Sequence, residues 1–281
     1  VNTAGATPLE RRLPPAVLRW EGALVCLVAW GLLLLIPLST GELGLAWDTL
    51  NHHIYLGWTA EQHRFDRDFL GAGYQSFQSP YVNWPIYRMA VDGWSGRSAG
   101  LVLASLQATA AWPVWMLARA CVPGPTVYDF TMRALAVALA FLSGLVLSAF
   151  GASLNDLLAA TPMVWAVAFA MEPIARGDAL SAASARRCVL LSGMSAGLAV
   201  ALKLSNGPFA ILLPLLWLQS APHWRGRIVA SVLGGLATVG AFLLAYGHWG
   251  WILWRHYGNP VYPFDHPWFA LLRTWIMGWA G

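Results

Sequence analysis

The sequence predicts an all-α, polytopic membrane protein of about seven transmembrane helices, with a long outer loop after the first of them. Three observations carry that prediction. Hydrophobic residues make up 58% of the chain and its mean hydropathy is +0.55, well above an ordinary water-soluble domain. Apolar runs of about 17 to 22 residues recur, each long enough to cross a hydrocarbon core of roughly 30 Å. The 17 Trp and 8 Tyr fit the aromatic enrichment found where membranes meet water.

Residues 1–21 read as a cytoplasmic N-terminal segment, with Arg11, Arg12 and Arg19 ahead of the first apolar run. That run, near 22–38, lacks a small-residue cleavage site and reads as an uncleaved first helix. Residues 22–281 then form a single transmembrane helical module, with the outer loop at 39–97. Further spans are expected near 98–118, 133–150, 159–175, 188–204, 208–221 and 228–246. The fifth and sixth are joined by "SNGP", Ser205 to Pro208, which reads as a tight hairpin because proline tolerates a first helical turn. One long broken helix is the alternative, and it would invert everything downstream.

Arginine placement favours the hairpin. With the N-terminus inside a bacterial cytoplasmic (inner) membrane, the inner segments hold Arg119, Arg133, Arg176, Arg186, Arg187, Arg225 and Arg227 besides the N-terminal three. The segments 39–97 and 247–266 then lie outside. The chain finishes in the amphipathic "WFALLRTWIMGWAG", with no soluble domain expected beyond it.

Composition also excludes function classes. The net charge of +4 is spread among loops with no basic run suited to nucleic acid. Cys26, Cys121 and Cys188 lack metal-ligand spacing and read as small apolar-site residues. All seven histidines, His52, His53, His63, His223, His248, His256 and His266, fall in expected loops or interfaces, so no haem or pigment is expected. The spans hold few midplane polar groups, which argues against a transporter.

Four polar clusters converge on the outer face. In "WDTLNHHIYLGWTAEQHRFDRDF", helical spacing puts Asp48 and His52, with Tyr55 beside them, on one side. A carboxylate there suits a general base, or an oxygen ligand for a divalent cation; the ordinary alternative is a helix cap or surface ion pair. The later Arg64, Asp66, Arg67 and Asp68 read as a solvated turn. "GYQSFQSPYVNWPIY" suits either a sugar or a loop lying on headgroups. Asp156 is a second carboxylate or a cap for the helix after it. Lys203, the only lysine among 17 basic residues, stands with Ser205 and Asn206 near a helix end, where it either contacts phosphate or snorkels. Arg255 and Asn259 in "RHYGNPVYPF" add a further candidate substrate contact on that face, or shape an aromatic-belt turn.

Three of these pieces resemble a known group. "WDTLNHHIYLGWTAEQHRF", "GLAVALKLSNGPFAILLPL" and "YGNPVYPF", in that order and spacing, look like bacterial membrane proteins related to GT-C-type glycosyltransferases. The resemblance implies a helical module that takes sugar from a polyprenyl-phosphate-linked donor at the outer face. It implies a catalytic base at Asp48, a second acidic residue for acceptor or metal at Asp156, and donor-phosphate contacts at Lys203 and Arg255. Two departures stand out: Asp48 is followed by Thr49 rather than a second acid, and the chain ends after about seven spans. A truncated or noncatalytic relative would show both. The alternative function is therefore a structural subunit of a larger membrane complex, with membrane lipids and partner subunits as its contacts.

Overall fold

The protein is described here by a computed structural model covering residues 7–45, 47–68, 71–264 and 267–278. His266 and the first six residues of the N-terminal segment lie outside the described residues. The elements run α1 (Pro15–Thr40), a π-helical turn (Thr49–His53) continuing into α2 (Ile54–Thr59), α3 (Trp84–Val91), α4 (Gly96–Ala108), α5 (Ala111–Cys121), α6 (Val127–Phe141) and α7 (Gly144–Ala149). They continue with α8 (Asp156–Arg176), α9 (Ala182–Leu202), α10 (Gly207–Leu212), α11 (Pro214–Trp217), α12 (Trp224–Tyr257) and α13 (Pro267–Met277). Extended structure among the described residues is confined to the short segment Gly71–Tyr74 and isolated bridges.

Five helical stretches are long and apolar enough to cross a membrane: Pro15–Thr40, Gly96–Cys121, Asp156–Ala179, Ala182–Leu202 and Trp224–Tyr257. The other two expected spans are shorter helical pieces. The 133–150 run divides between α6 and α7, where Ser143 starts a new helix by accepting the Val146 N–H at 3.2 Å. The run after "SNGP" divides at Pro214, whose ring removes a backbone donor from the helical ladder.

The last long helix overruns its expected end at residue 246. Its final turns bury Trp249 and Leu253 completely, and Trp249 Nε1 donates to the Phe77 carbonyl at 3.0 Å. This aromatic seam extends α12 to Tyr257, where Gly258 at φ +62° ends it. Arg255 and His256 thus belong to a helical last turn, where a cation complements the helix dipole.

Both ends of the bundle are pinned. At the end where α1 begins, Glu21 and Arg133 are 99% buried and paired, Arg133 Nε donating to Glu21 Oε1 at 2.5 Å. Arg133 Nη1 also reaches the Val122 and Gly124 carbonyls at 2.7 and 2.8 Å, and Trp115 Nε1 donates to Glu21 at 3.1 Å. Arg133 is therefore a core residue rather than one of the loop cations. At the end where α1 stops, Gly44 pairs with Ala152, joining the first loop to the α7–α8 connection.

The pair α9 and α12 packs backbone to backbone. A Cβ on Gly193 would meet the Gly234 carbonyl, and one on Gly197 the Thr238 carbonyl, so both positions admit only hydrogen. Ser192 fixes the depth of this layer by donating to the Ala166 carbonyl at 2.7 Å and accepting from Trp217 Nε1 at 2.9 Å. Replacing Gly197 by Leu forces the helices apart, and a loss of at least 1–3 kcal/mol is expected. Thermal unfolding in detergent checks this; a melting temperature equal to the wild type would contradict the close approach.

Candidate functional site

The polar cluster sits at the Thr40 end, and backbone stitching between two distant loops builds it. Gly44 N donates to the Gly151 carbonyl at 3.2 Å and Ser153 N to the Gly44 carbonyl at 2.9 Å. Buried Gln107, on α4, holds the second loop from below: its Nε2 donates to the Ala149 carbonyl at 2.9 Å and its Oε1 accepts from Gly151 N at 3.0 Å. Thr49 and Ser153 join their hydroxyls, which places the π-helical turn against the start of α8. Asp48 and His52, four residues apart, share one side of this turn.

Within this frame the side chains converge. His52 Nε2 lies 3.9 Å from Asp48 Oδ1, with His52 buried and Asp48 46% exposed. His53 Nε2 stands 3.3 Å from Asn155 Nδ2, and the same amide donates to Asn83 Oδ1 at 3.3 Å. Lys203, the C-cap residue of α9, donates from Nζ to Asn155 Oδ1 at 3.3 Å and to Asp156 Oδ1 at 2.5 Å. Asp156 is 64% exposed, so this ion pair faces water and is a weak tether rather than a stability element. Asn206 donates to the Ala159 and Ala199 carbonyls at 3.0 and 2.9 Å, which closes α8 onto α9 behind the lysine.

The structure thus brings Asp48, His52, Asp156, Lys203 and Asn206 into one neighbourhood. It does not join Arg255 or Asn259 to them by any hydrogen bond or ion pair among the described residues. Asn259 spends its amide on its own turn, donating to the Phe264 carbonyl at 2.9 Å and accepting from Val261 N at 3.0 Å. Tyr55 turns to Asp68, at 3.2 Å, and Asp68 also pairs with Arg64 at 3.2 Å. In the 73–87 stretch, Phe77 is buried against Tyr257 and Tyr262, while Tyr74 and Trp84 remain exposed.

Sequence reading does not assign His53, Asn83 or Gln107 to the site, although Asn83 lies in the stretch suited to a sugar and His53 in the first polar loop. Gln107 carries a visible signal, a lone amide inside an apolar run, since such a group needs a partner within the protein. Asn83 and His53 carry none, because their partner Asn155 is 72 and 102 residues away.

Burial holds the His53 imidazole below its ordinary value of 6.5, helped by neighbouring His52 and by Lys203 and opposed by Asp48. The ring therefore favours its neutral form, able to accept from Asn155. Because the folded pKa is depressed, the stability tied to His53 is complete above 6.5 and is lost as pH falls through the folded value. A nitrogen-detected NMR titration should place its midpoint under 6.5. A midpoint above that value would contradict the buried placement.

Ligand atoms of Asp48, His52 and His53 lie within 4.8 Å of one another. Two imidazoles and a carboxylate suit a zinc-like ion better than magnesium, which prefers oxygen. Asp156 is not part of that group, and His53 already faces Thr49 and Asn155 with its two ring nitrogens. No family model, curated protein or solved structure matches this chain.

Proposed function

We propose that this chain is a GT-C-like membrane glycosyltransferase module, transferring a sugar from a polyprenyl-phosphate donor at the outer face of a bacterial inner membrane. The observation that carries it is the gathering of a solvent-reaching carboxylate, Asp48, and of the Lys203–Asp156 ion pair with Asn155 at the end of several apolar helices. One part can take a proton from a hydroxyl, the other can face a phosphate, and both sit where a lipid-linked substrate would present its headgroup.

We read seven crossings, five by the long apolar helices and two by shorter helical pieces, whose course along the bundle supports that topology. Residue 133 packs at the Glu21 end and residue 152 at the Gly44 end, so α6 and α7 together travel the length of the bundle. The segment 204–217 likewise leaves the Lys203 end and delivers Trp217 to Ser192 inside the α9 layer. Arginine bias then assigns the Lys203 end to the outside.

In the proposed reaction Asp48 accepts the proton of an acceptor hydroxyl, whose oxygen bonds to the anomeric carbon. The carbon–oxygen bond to the lipid phosphate breaks with inversion, and the phosphate departs with the electron pair. Lys203 balances its charge, and buried His52 stands 3.9 Å from the Asp48 carboxylate.

Proteoliposomes holding the purified chain and radiolabelled polyprenyl-phosphate sugars test the proposal by transfer to added acceptors. Lys203→Met should weaken donor use by roughly tenfold or more, and Lys203→Arg should retain much of it. Absence of transfer with every donor, together with a stoichiometric membrane partner on gentle purification, would replace this reading with the structural-subunit one.

A further inference from the structure

The opposite end of the bundle holds a second feature, which the catalytic proposal does not use. A cleft of about 1240 Å³ opens between the C-terminus of α8, the N-terminus of α9, the 218–223 connection and the start of α12. That exceeds the range of about 300–1,000 Å³ usual for small-molecule pockets. Its inner wall is apolar, with buried Val189 and Ala230, while Arg186, Arg225 and Arg227 line it against a single carboxylate, Asp178.

These arginines are not placed for the benefit of their own helices. All three lie near helix N-termini, where the dipole is positive and a cation is disfavoured. None forms a salt bridge among the described residues. Arg227 donates from Nε to the Ala221 carbonyl at 2.9 Å, holding the connection open beside the cleft. The first turn of α12 has no side-chain cap, so its backbone N–H groups add to the positive field. Exposed Trp224 stands at the same level, as an aromatic anchor does at a membrane interface.

We propose that this cleft binds an anionic phospholipid, its phosphodiester held by Arg186 and Arg225 and its acyl chains lying along the apolar wall. Charge complementarity selects the headgroup, and the ends of three apolar helices set the site at headgroup depth. The inference stands apart from glycosyl transfer, since its residues belong to the other end of the bundle.

The test uses the full chain in neutral detergent mixed with equal phosphatidylglycerol and phosphatidylcholine, read by native mass spectrometry. Wild type should retain phosphatidylglycerol over phosphatidylcholine by roughly tenfold. Arg186→Gln with Arg225→Gln should bring the ratio near parity, Arg186→Lys with Arg225→Lys should keep most of the preference, and Arg119→Gln should leave it unchanged. An unchanged preference in the double Gln variant overturns the site. Complete displacement of phosphatidylglycerol by millimolar inorganic phosphate overturns the lipid assignment in favour of a soluble anion.

Discussion

Under the proposed glycosyl transfer, Asp48→Asn is expected to lower turnover by roughly 10²- to 10⁴-fold, the usual cost of losing a general base. The substitution keeps the shape of the side chain and removes its proton-accepting charge. His52 lies 3.9 Å away, beyond hydrogen-bond distance, so the fold does not depend on this carboxylate. Melting temperature and elution should therefore match the wild type. Asp66→Asn is the control: Asp66 is 67% exposed and its ion pair among the described residues, with Arg67 at 3.6 Å, is open to water, so transfer should be unaffected. Equal turnover in the two variants would remove Asp48 from the chemistry and leave the Asp48–His53 turn as a structural loop.

The largest stability effect should come from the other end of the bundle. Arg133→Met leaves Glu21 fully buried without its partner, and a loss of about 3–5 kcal/mol is expected. Glu21→Gln should cost less, because the amide oxygen still accepts from Trp115 and Arg133. Substituting both partners by Leu should recover much of the loss, since no buried charge is then stranded. Thermal unfolding of the three variants decides the matter: if the double variant is the least stable, the pair is favourable in its own right rather than a satisfied obligation.

Hydropathy made the membrane character and the long helices legible because it is a local property, summed over about twenty adjacent residues. The same averaging cannot see a helix break, so the 133–150 and 208–221 runs looked like whole spans. Ser143 and Pro214 interrupt them through single backbone groups. The end of α12 was misplaced for the converse reason. Trp249 reads as an interfacial aromatic, yet its burial against Phe65 and Phe77 of the first loop keeps the helix going to Tyr257.

The candidate site divides along the same line. Asp48 and His52 are one helical turn apart, so their pairing follows from chain geometry and was visible in the residues themselves. Lys203 stood out because it is the sole lysine, near the end of an apolar helix. Asp156 stood out as a second carboxylate, but its pairing with Lys203 did not. Asp156 and Asn155 are 47 and 48 residues away, and Arg133 lies 112 residues from Glu21. By itself the sequence determined an all-helical membrane chain, the position of its first polar loop and the candidate polar residues it carries. Only the tertiary structure decided which of them meet, which are spent on turns as Asn259 is, and that Arg133 is a core residue. Hydrophobic burial selects helices one at a time, but the partner of a polar group is chosen by the packing that leaves it nowhere else to bond.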